Sequence, residues 1–233
     1  MNEMEFIKEL KKLNINVSEL QLKQLKTYCN LLIEENKKYN LTSITNEEQI
    51  YLKHFYDSLT ITKIIELNNQ SLCDIGTGAG FPGMVLKIIF PNLKITLIDA
   101  TKKKCDFLNL VIKELKLNNI TVINTRIEEY AKTNREKYDI VTARAVAPLK
   151  HLLEYGIPLV KKSGYFIPLK SNLKDELINI NNYYNKLSIE LKNKIEFNLP
   201  IENSKRTLLL YKKKFKTDLI YPRKYNEIKK KEI

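Results

Sequence analysis

The sequence predicts an α/β fold, a mostly parallel sheet with helices on both faces, and three observations carry that prediction. From residue 71 onward, short apolar runs alternate with segments of helical period. A glycine-rich turn, LCDIGTGAGFPG (72–83), grows directly out of the first apolar run. The second run closes on an acid, Asp99. In such folds ligands sit at the carboxyl ends of the strands, where the strand order reverses. Residues just after strands therefore carry the functional weight.

Residues 1–66 read as a helical N-terminal extension. Leu10, Leu13, Val17, Leu20, Leu22 and Leu25 recur at helical intervals, as do Tyr28, Leu31, Leu32 and Tyr39. A turn at 14–18 divides them, with Ser18 and Gln21 spaced as a capping box. A loop opens near residue 37, and another helix starts near Asn46. Residues 67–215 form the α/β domain, beginning with the strand SLCDI (71–75) and a helix at 84–90 stopped by Pro91. KITLIDA (94–100) is the second strand and 102–116 a helix. ITVIN (120–124) and YDIVTAR (138–144) are the third and fourth strands. A helix at 149–160, the strand GYFIPL (164–169), a helix near 173–185 and a closing pair of strands near 188–197 and 206–213 complete seven strands. Residues 216–233 are a basic tail; from 211 onward there are nine basic residues against three acids.

The formal charge of +13 favours a polyanionic partner over an acidic protein or a neutral metabolite. Of the 40 basic residues 35 are lysine, which follows compositional bias as readily as function, so the five arginines are the sharper markers. Three cysteines without paired spacing argue against a disulfide scaffold and a zinc cluster. The start, MNEMEFIKEL, has no apolar core of a signal peptide, and no run reaches eighteen apolar residues. The expectation is a cytoplasmic protein with no membrane, a monomer by default.

Four of the six glycines fall in the turn, as Gly76, Gly78, Gly80 and Gly83. A tight turn into a helix needs that backbone freedom so that a ligand can approach the chain. Gly78, Gly80 and Gly83 satisfy the dinucleotide spacing, with Asp99 at a suitable distance. Counted from Gly76, however, the third position falls on the bulky Phe81. Asp74 ends the strand with a carboxylate that suits a cationic ligand and repels a pyrophosphate. No Gly-Lys-Ser/Thr follows, which excludes a P-loop. S-adenosylmethionine, with its sulfonium and amino-acid end, fits these points. Asp99 would then accept hydrogen bonds from the ribose, and the turn 76–80 would lie against the methionine part.

The motifs YNLTS (39–43), HFYDS (54–58), DIGTGAGFPG (74–83), LIDA (97–100), TRIEEY (125–130), TARAVAPL (142–149), IPLK (167–170) and YPRK (221–224) occur in that order. Together they resemble the RsmG family, formerly called GidB, over residues 25–224. The resemblance implies a Rossmann-like class I methyltransferase with a helical N-terminal extension. It would methylate N7 of one guanosine in bacterial small-subunit (16S) ribosomal RNA. It also implies a cofactor site of Asp74, Gly76, Thr77, Gly78, Gly80, Phe81, Asp99 and Ala100, with Arg126, Ile127 and Glu128 bordering the adenine. Arg144, counted in both the cofactor and the catalytic set, faces the transfer site, with Asn40, His54 and Asp57 as the other catalytic candidates beside the pocket. After YPRK the family's small, proline-rich ending is replaced by YNEIKKKEI.

Guanine N7 is an unprotonated lone pair, so its methylation needs placement and no general base. Arg144 reads as a donor fork to guanine O6 or to a phosphate. His54 and Asp57, three apart on one helical face, serve either the pocket or a bracket joining the extension to the sheet; no third ligand supports a metal. His151 reads as a boundary residue. Lys170, Arg206, Arg223 and Lys224 are the expected RNA contacts, and the tail is either a solvated end or an RNA clamp. The rival readings are a small-molecule methyltransferase, a dehydrogenase and a non-catalytic RNA-binding protein. The first leaves the charge unexplained, the second misfits the turn, and the third would not keep both the turn and Asp99.

Overall fold

A computed structural model describes residues 1–171, 173 and 176–233. Its centre is one sheet of seven strands: β1 (Ser71–Ile75), β2 (Lys94–Asp99), β3 (Ile120–Asn124), β4 (Tyr138–Arg144), β5 (Val160–Lys170), β6 (Ile189–Asn198) and β7 (Lys205–Lys213). The order is β3-β2-β1-β4-β5-β7-β6, with β7 antiparallel to both of its neighbours and the other pairings parallel. The winding reverses between β1 and β4, so their carboxyl ends open a crevice there.

Period-2 alternation sends side chains to two separate cores. Leu72, Ile95, Leu97 and Ile140 join a cluster on one face, with Leu86, Phe107 and Leu108 from α5 (Gly83–Ile89) and α6 (Lys102–Glu114). Cys73, Ile75, Ile98 and Val141 face the other, under α7 (Ile127–Thr133), α8 (Leu149–Gly156) and α9 (Asn181–Leu187).

The first cluster continues into the N-terminal helices α1 (Glu3–Lys12) and α2 (Glu19–Tyr39), through Phe6, Leu10, Leu25, Tyr28 and Leu32. The Ser18–Gln21 capping box forms, and a second one joins Asn2 to Glu5. Leu20 departs from the expected stripe: it stands exposed in the first turn of α2. After α3 (Glu47–Ile50), capped by Asn46, the chain runs through a π-helical stretch, Tyr51–Tyr56, into α4 (Asp57–Leu59). π turns are rare and concentrate at functional sites. This one carries His54.

Three boundaries differ from the sequence reading. The helix expected at 149–160 ends at Gly156 and passes through a 3-10 turn into β5, which begins at Val160. The polar start of that strand, VKKSG, hides its pairing, and a register shift separates Tyr138↔Val160 from Ile140↔Tyr165. The helix expected near 173–185 includes 174 and 175, outside the described residues; the described helix is α9. Two short helices were not foreseen, α7 and α10 (Tyr225–Lys230). With α10 the tail folds back on the domain, burying Tyr221 and Ile228.

Candidate active site

Two clefts meet at Ala145, just past β4. The larger, about 540 Å³, lies at the carboxyl ends of β1, β2 and β3 and is lined by Gly76, Asp99, Ala100, Arg126, Ile127 and Glu128, with Val146, His151 and Tyr155 opposite in sequence. The glycine turn is pinned from behind. Asp74 is fully buried, and its Oδ2 accepts from Thr77 Oγ1 (2.7 Å) and the Gly83 amide (2.8 Å). Its Oδ1 has no partner, and burial pushes the carboxyl up to about 7 against those two donors. Asp99 accepts from the Gly78 amide (2.9 Å) and the Thr101 amide (2.8 Å), which leaves lone pairs on both oxygens.

Gly78 has φ +61°, and a Cβ there would meet nothing within 4 Å, so the backbone lies open to a ligand. Gly83 is the opposite case. A Cβ would come within 2.3 Å of Leu97 and 3.0 Å of Asp74, so this glycine lets α5 pack on the strands. The open backbone at Gly78 and a strand-end acid, Asp99, with free lone pairs fit the methionine and ribose parts of S-adenosylmethionine.

The smaller cleft, about 290 Å³, is lined by Ile44, Lys53, His54, Asp57, Arg144, Leu169, Lys170 and Arg206. Asp57 sits between two arginines: Oδ2 to Arg144 Nη1 at 3.2 Å, Oδ1 to Arg206 Nε at 2.9 Å. Arg144 also donates to the Lys53 carbonyl (2.9 Å) and to His54 Nδ1 (3.3 Å), and lies 5.2 Å over the Phe81 ring. Because arginine only donates, His54 Nδ1 must accept, which puts the imidazole proton on Nε2, facing Thr42 Oγ1 at 2.9 Å. Burial and the Arg144 charge hold this imidazole down to about 3, so it is neutral at physiological pH. Phe81 stacks on His54 (4.2 Å, 15°) and on Tyr28, tying the glycine turn to the helical extension.

The structure thus gathers Gly76, Asp99, Ala100, Arg126, Ile127 and Glu128 around one cleft, and His54, Asp57, Arg144, Lys170 and Arg206 around the other. Asp74 and Thr77 brace the turn from below it, and Phe81 is a packing hub between the two sites. Asn40 is not brought to either cleft; it ends α2 exposed, in a left-handed turn. The asparagine that organises this loop is Asn36, whose Oδ1 accepts from the Thr42 amide (2.8 Å). Arg223 is turned inward, its fork closed on the buried Glu154 at 2.8 and 2.9 Å. Lys224 is exposed at the start of α10. Lys170 pairs with Glu176 at 2.8 Å. Thr42, Tyr225, His151 and Tyr155 escaped the sequence reading as site residues; only the YNLTS motif pointed near Thr42. Among the described residues no helix is long and apolar enough to cross a membrane, and no group of three potential metal ligands gathers.

Strand order, switch-point cleft and glycine turn define a class I methyltransferase with S-adenosylmethionine as methyl donor. The same fold recurs in a SAM-dependent methyltransferase from Aquifex aeolicus (TM-score 0.52, 14% identity, 77% of this chain and 97% of that one). It recurs also in precorrin-6y C5,15-methyltransferase from Geobacter metallireducens (TM-score 0.51, 15% identity, 73% and 90%). The chain belongs to the rRNA small subunit methyltransferase G (GidB) family, whose profile matches residues 21–224. Relatives include the ribosomal RNA small subunit methyltransferase G of Oceanobacillus iheyensis, 45% identical over 228 residues and 96% of each chain. That of Lysinibacillus sphaericus is 43% identical with the same coverage.

Proposed function

We propose that this chain transfers a methyl group to N7 of one guanosine in the 16S RNA of the small ribosomal subunit, acting as a cytoplasmic monomer. The observation that carries this reading is the engagement of every acid–base group in the smaller cleft. His54 is neutral with its lone pair turned to Arg144, Asp57 lies between two guanidinium groups, and Lys53 and Lys170 are paired with Glu202 and Glu176. Among the described residues lining it, no free base remains. Methylation of an exocyclic amine or a ring N–H needs one; methylation of an N7 lone pair does not.

Bound in the larger cleft, S-adenosylmethionine supplies an electrophilic sulfonium methyl for that lone pair. Asp99 would hold its ribose, and the open backbone at Gly78 would lie against its methionine part, with Asp74 and Thr77 bracing the turn beneath. Arg126, Ile127 and Glu128 would border the adenine. Arg144 keeps Nε and one Nη2 hydrogen without a protein partner among the described residues, and these suit guanine O6. Lys170 and Arg206 line the same cleft and are the proposed phosphate contacts, while Arg223 holds the tail in place and Lys224 remains an outer RNA contact. The extension 1–66 contributes His54 and Asp57 to the domain 67–215. Family membership supports the small-subunit RNA target.

The test is transfer of labelled methyl to small subunits, and to RNA stripped of protein, from a strain lacking the gene, with mapping of the product. A single N7-methylguanosine in 16S RNA is expected. Arg144→Ala should lower transfer about 10²-fold through lost positioning, with S-adenosylhomocysteine binding retained. Methyl at another atom, or none in RNA, overturns the proposal.

A further inference from the structure

We infer that α10 is a wall of the donor cleft and that Tyr225 contacts the adenine ring, a cofactor contact this chain supplies from beyond the family-matched region. The inference rests on the larger cleft being the S-adenosylmethionine site. The family match ends at residue 224, and α10 begins at Tyr225. Yet Tyr225 and Lys229 line the same cleft as Asp99, Arg126 and Glu128.

A helix of six residues does not hold itself in place. Its position is set by contacts on either side. Ile228 is buried in the second core cluster. Before the helix, Arg223 closes its fork and its backbone amide on Glu154, a residue with no exposed surface. Arg135 donates to the carbonyls of Thr217, Asp218 and Tyr221, fixing the approach. Glu154 lies on α8 between His151 and Tyr155, and both of these line the cleft. One helix therefore shapes the cleft and anchors the segment that walls it.

The Tyr225 ring is held among cations, with the Arg126 guanidinium carbon 5.9 Å and Lys229 Nζ 5.2 Å from its centroid. Arg126 is 61% exposed, so its place beside the ring is easily yielded to a flat, apolar-faced ligand. Adenine is that part of the donor, and an aromatic side chain is the usual complement to its face.

Calorimetric titration of the full chain with S-adenosylhomocysteine and with adenosine tests this. Tyr225→Ala should raise Kd about fivefold to tenfold for both ligands, because both carry the adenine. Tyr225→Phe should bind as the parent does. The urea midpoint of ligand-free Tyr225→Ala should stay unchanged, since the side chain is partly exposed. Unchanged affinity in Tyr225→Ala overturns the inference, as does a loss that comes with a lowered midpoint, which marks an anchor and not a contact. A parent chain that binds neither ligand overturns the donor-site reading itself.

Discussion

The two clefts on either side of Ala145 are built by opposite means. The floor of the donor cleft is the ends of β1, β2 and β3 and the turns that follow them, each a short local stretch, while α8 and α10 supply its far wall. Its strand-end acid is left partly unsatisfied, with lone pairs free on both oxygens of Asp99. The smaller cleft is made of long side chains brought from far apart, with Asp57 reaching Arg144 across 87 positions and Arg206 across 149. There nearly every group is engaged with another. A cofactor site needs shape and open valences; a site for a base that requires no proton transfer needs donors that cannot wander.

The strongest way to break this contrast is Asp57→Ala. Asp57 is 4% exposed and separates two guanidinium groups, so its loss leaves both facing each other without a counter-charge. Removing one partner from such a buried arrangement costs about 3–5 kcal/mol, measurable as a fall in the urea midpoint. S-adenosylhomocysteine affinity of the folded fraction should hold, because Asp57 is not part of the donor cleft. An equal collapse of both would mean the clefts are one cooperative unit.

Two glycines sharpen the contrast within the donor cleft. Gly83→Ala forces a Cβ to 2.3 Å from Leu97 Cδ2, and overpacking of this kind costs about 1–3 kcal/mol of stability. Gly78→Ala meets no atom within 4 Å, so its cost is the left-handed backbone alone, about 1–2 kcal/mol. If the turn lies against the donor as proposed, its new methyl group would occupy the ligand's space. Gly83→Ala should thus show in the unfolding curve with Kd for S-adenosylhomocysteine little changed. Gly78→Ala should lower the unfolding midpoint to a similar extent but also raise that Kd, so the Kd is what separates the two variants. The reverse pattern would mean that the roles of the two glycines are misassigned.

The same contrast decides what the sequence makes legible. The glycine turn, Asp99, the parallel strands and the Ser18–Gln21 cap are local devices, and local spacing reveals them. The pairing of Asp57 with Arg206 spans 149 residues and depends on how β7 lies beside β5, and no spacing announces it. The family resemblance points to Asn40, yet the buried Asn36 one turn earlier orders Thr42. Charge misdirects as well: Arg223 reads as an RNA contact until its partner, the fully buried Glu154, is seen. α7 and α10 have seven and six residues, too short for a helical period to stand out.

The smallest expected effect is a pH signature with one sign on each side. His54, in the smaller cleft, is held down to about 3 from a usual 6.5. Between those values the unfolded chain takes a proton that the native one refuses, so this group's contribution to stability is lost as pH falls. Asp74, under the donor turn, is pushed up to about 7 from a usual 3.8. Across that window the native chain keeps a proton that the unfolded one releases, so its contribution is lost as pH rises. The two slopes oppose each other between about pH 4 and 6.5, so in the parent protein they partly cancel. Asp74→Asn should give a profile tilted upward with pH relative to the parent's, and His54→Gln one tilted downward relative to it. Either substitution also removes packing or hydrogen bonds, which shifts the whole curve without tilting it. The slope of the urea midpoint against pH is therefore the quantity to read. Parallel profiles for all three proteins would sink the assignment of neutral His54 and protonated Asp74 to the two clefts.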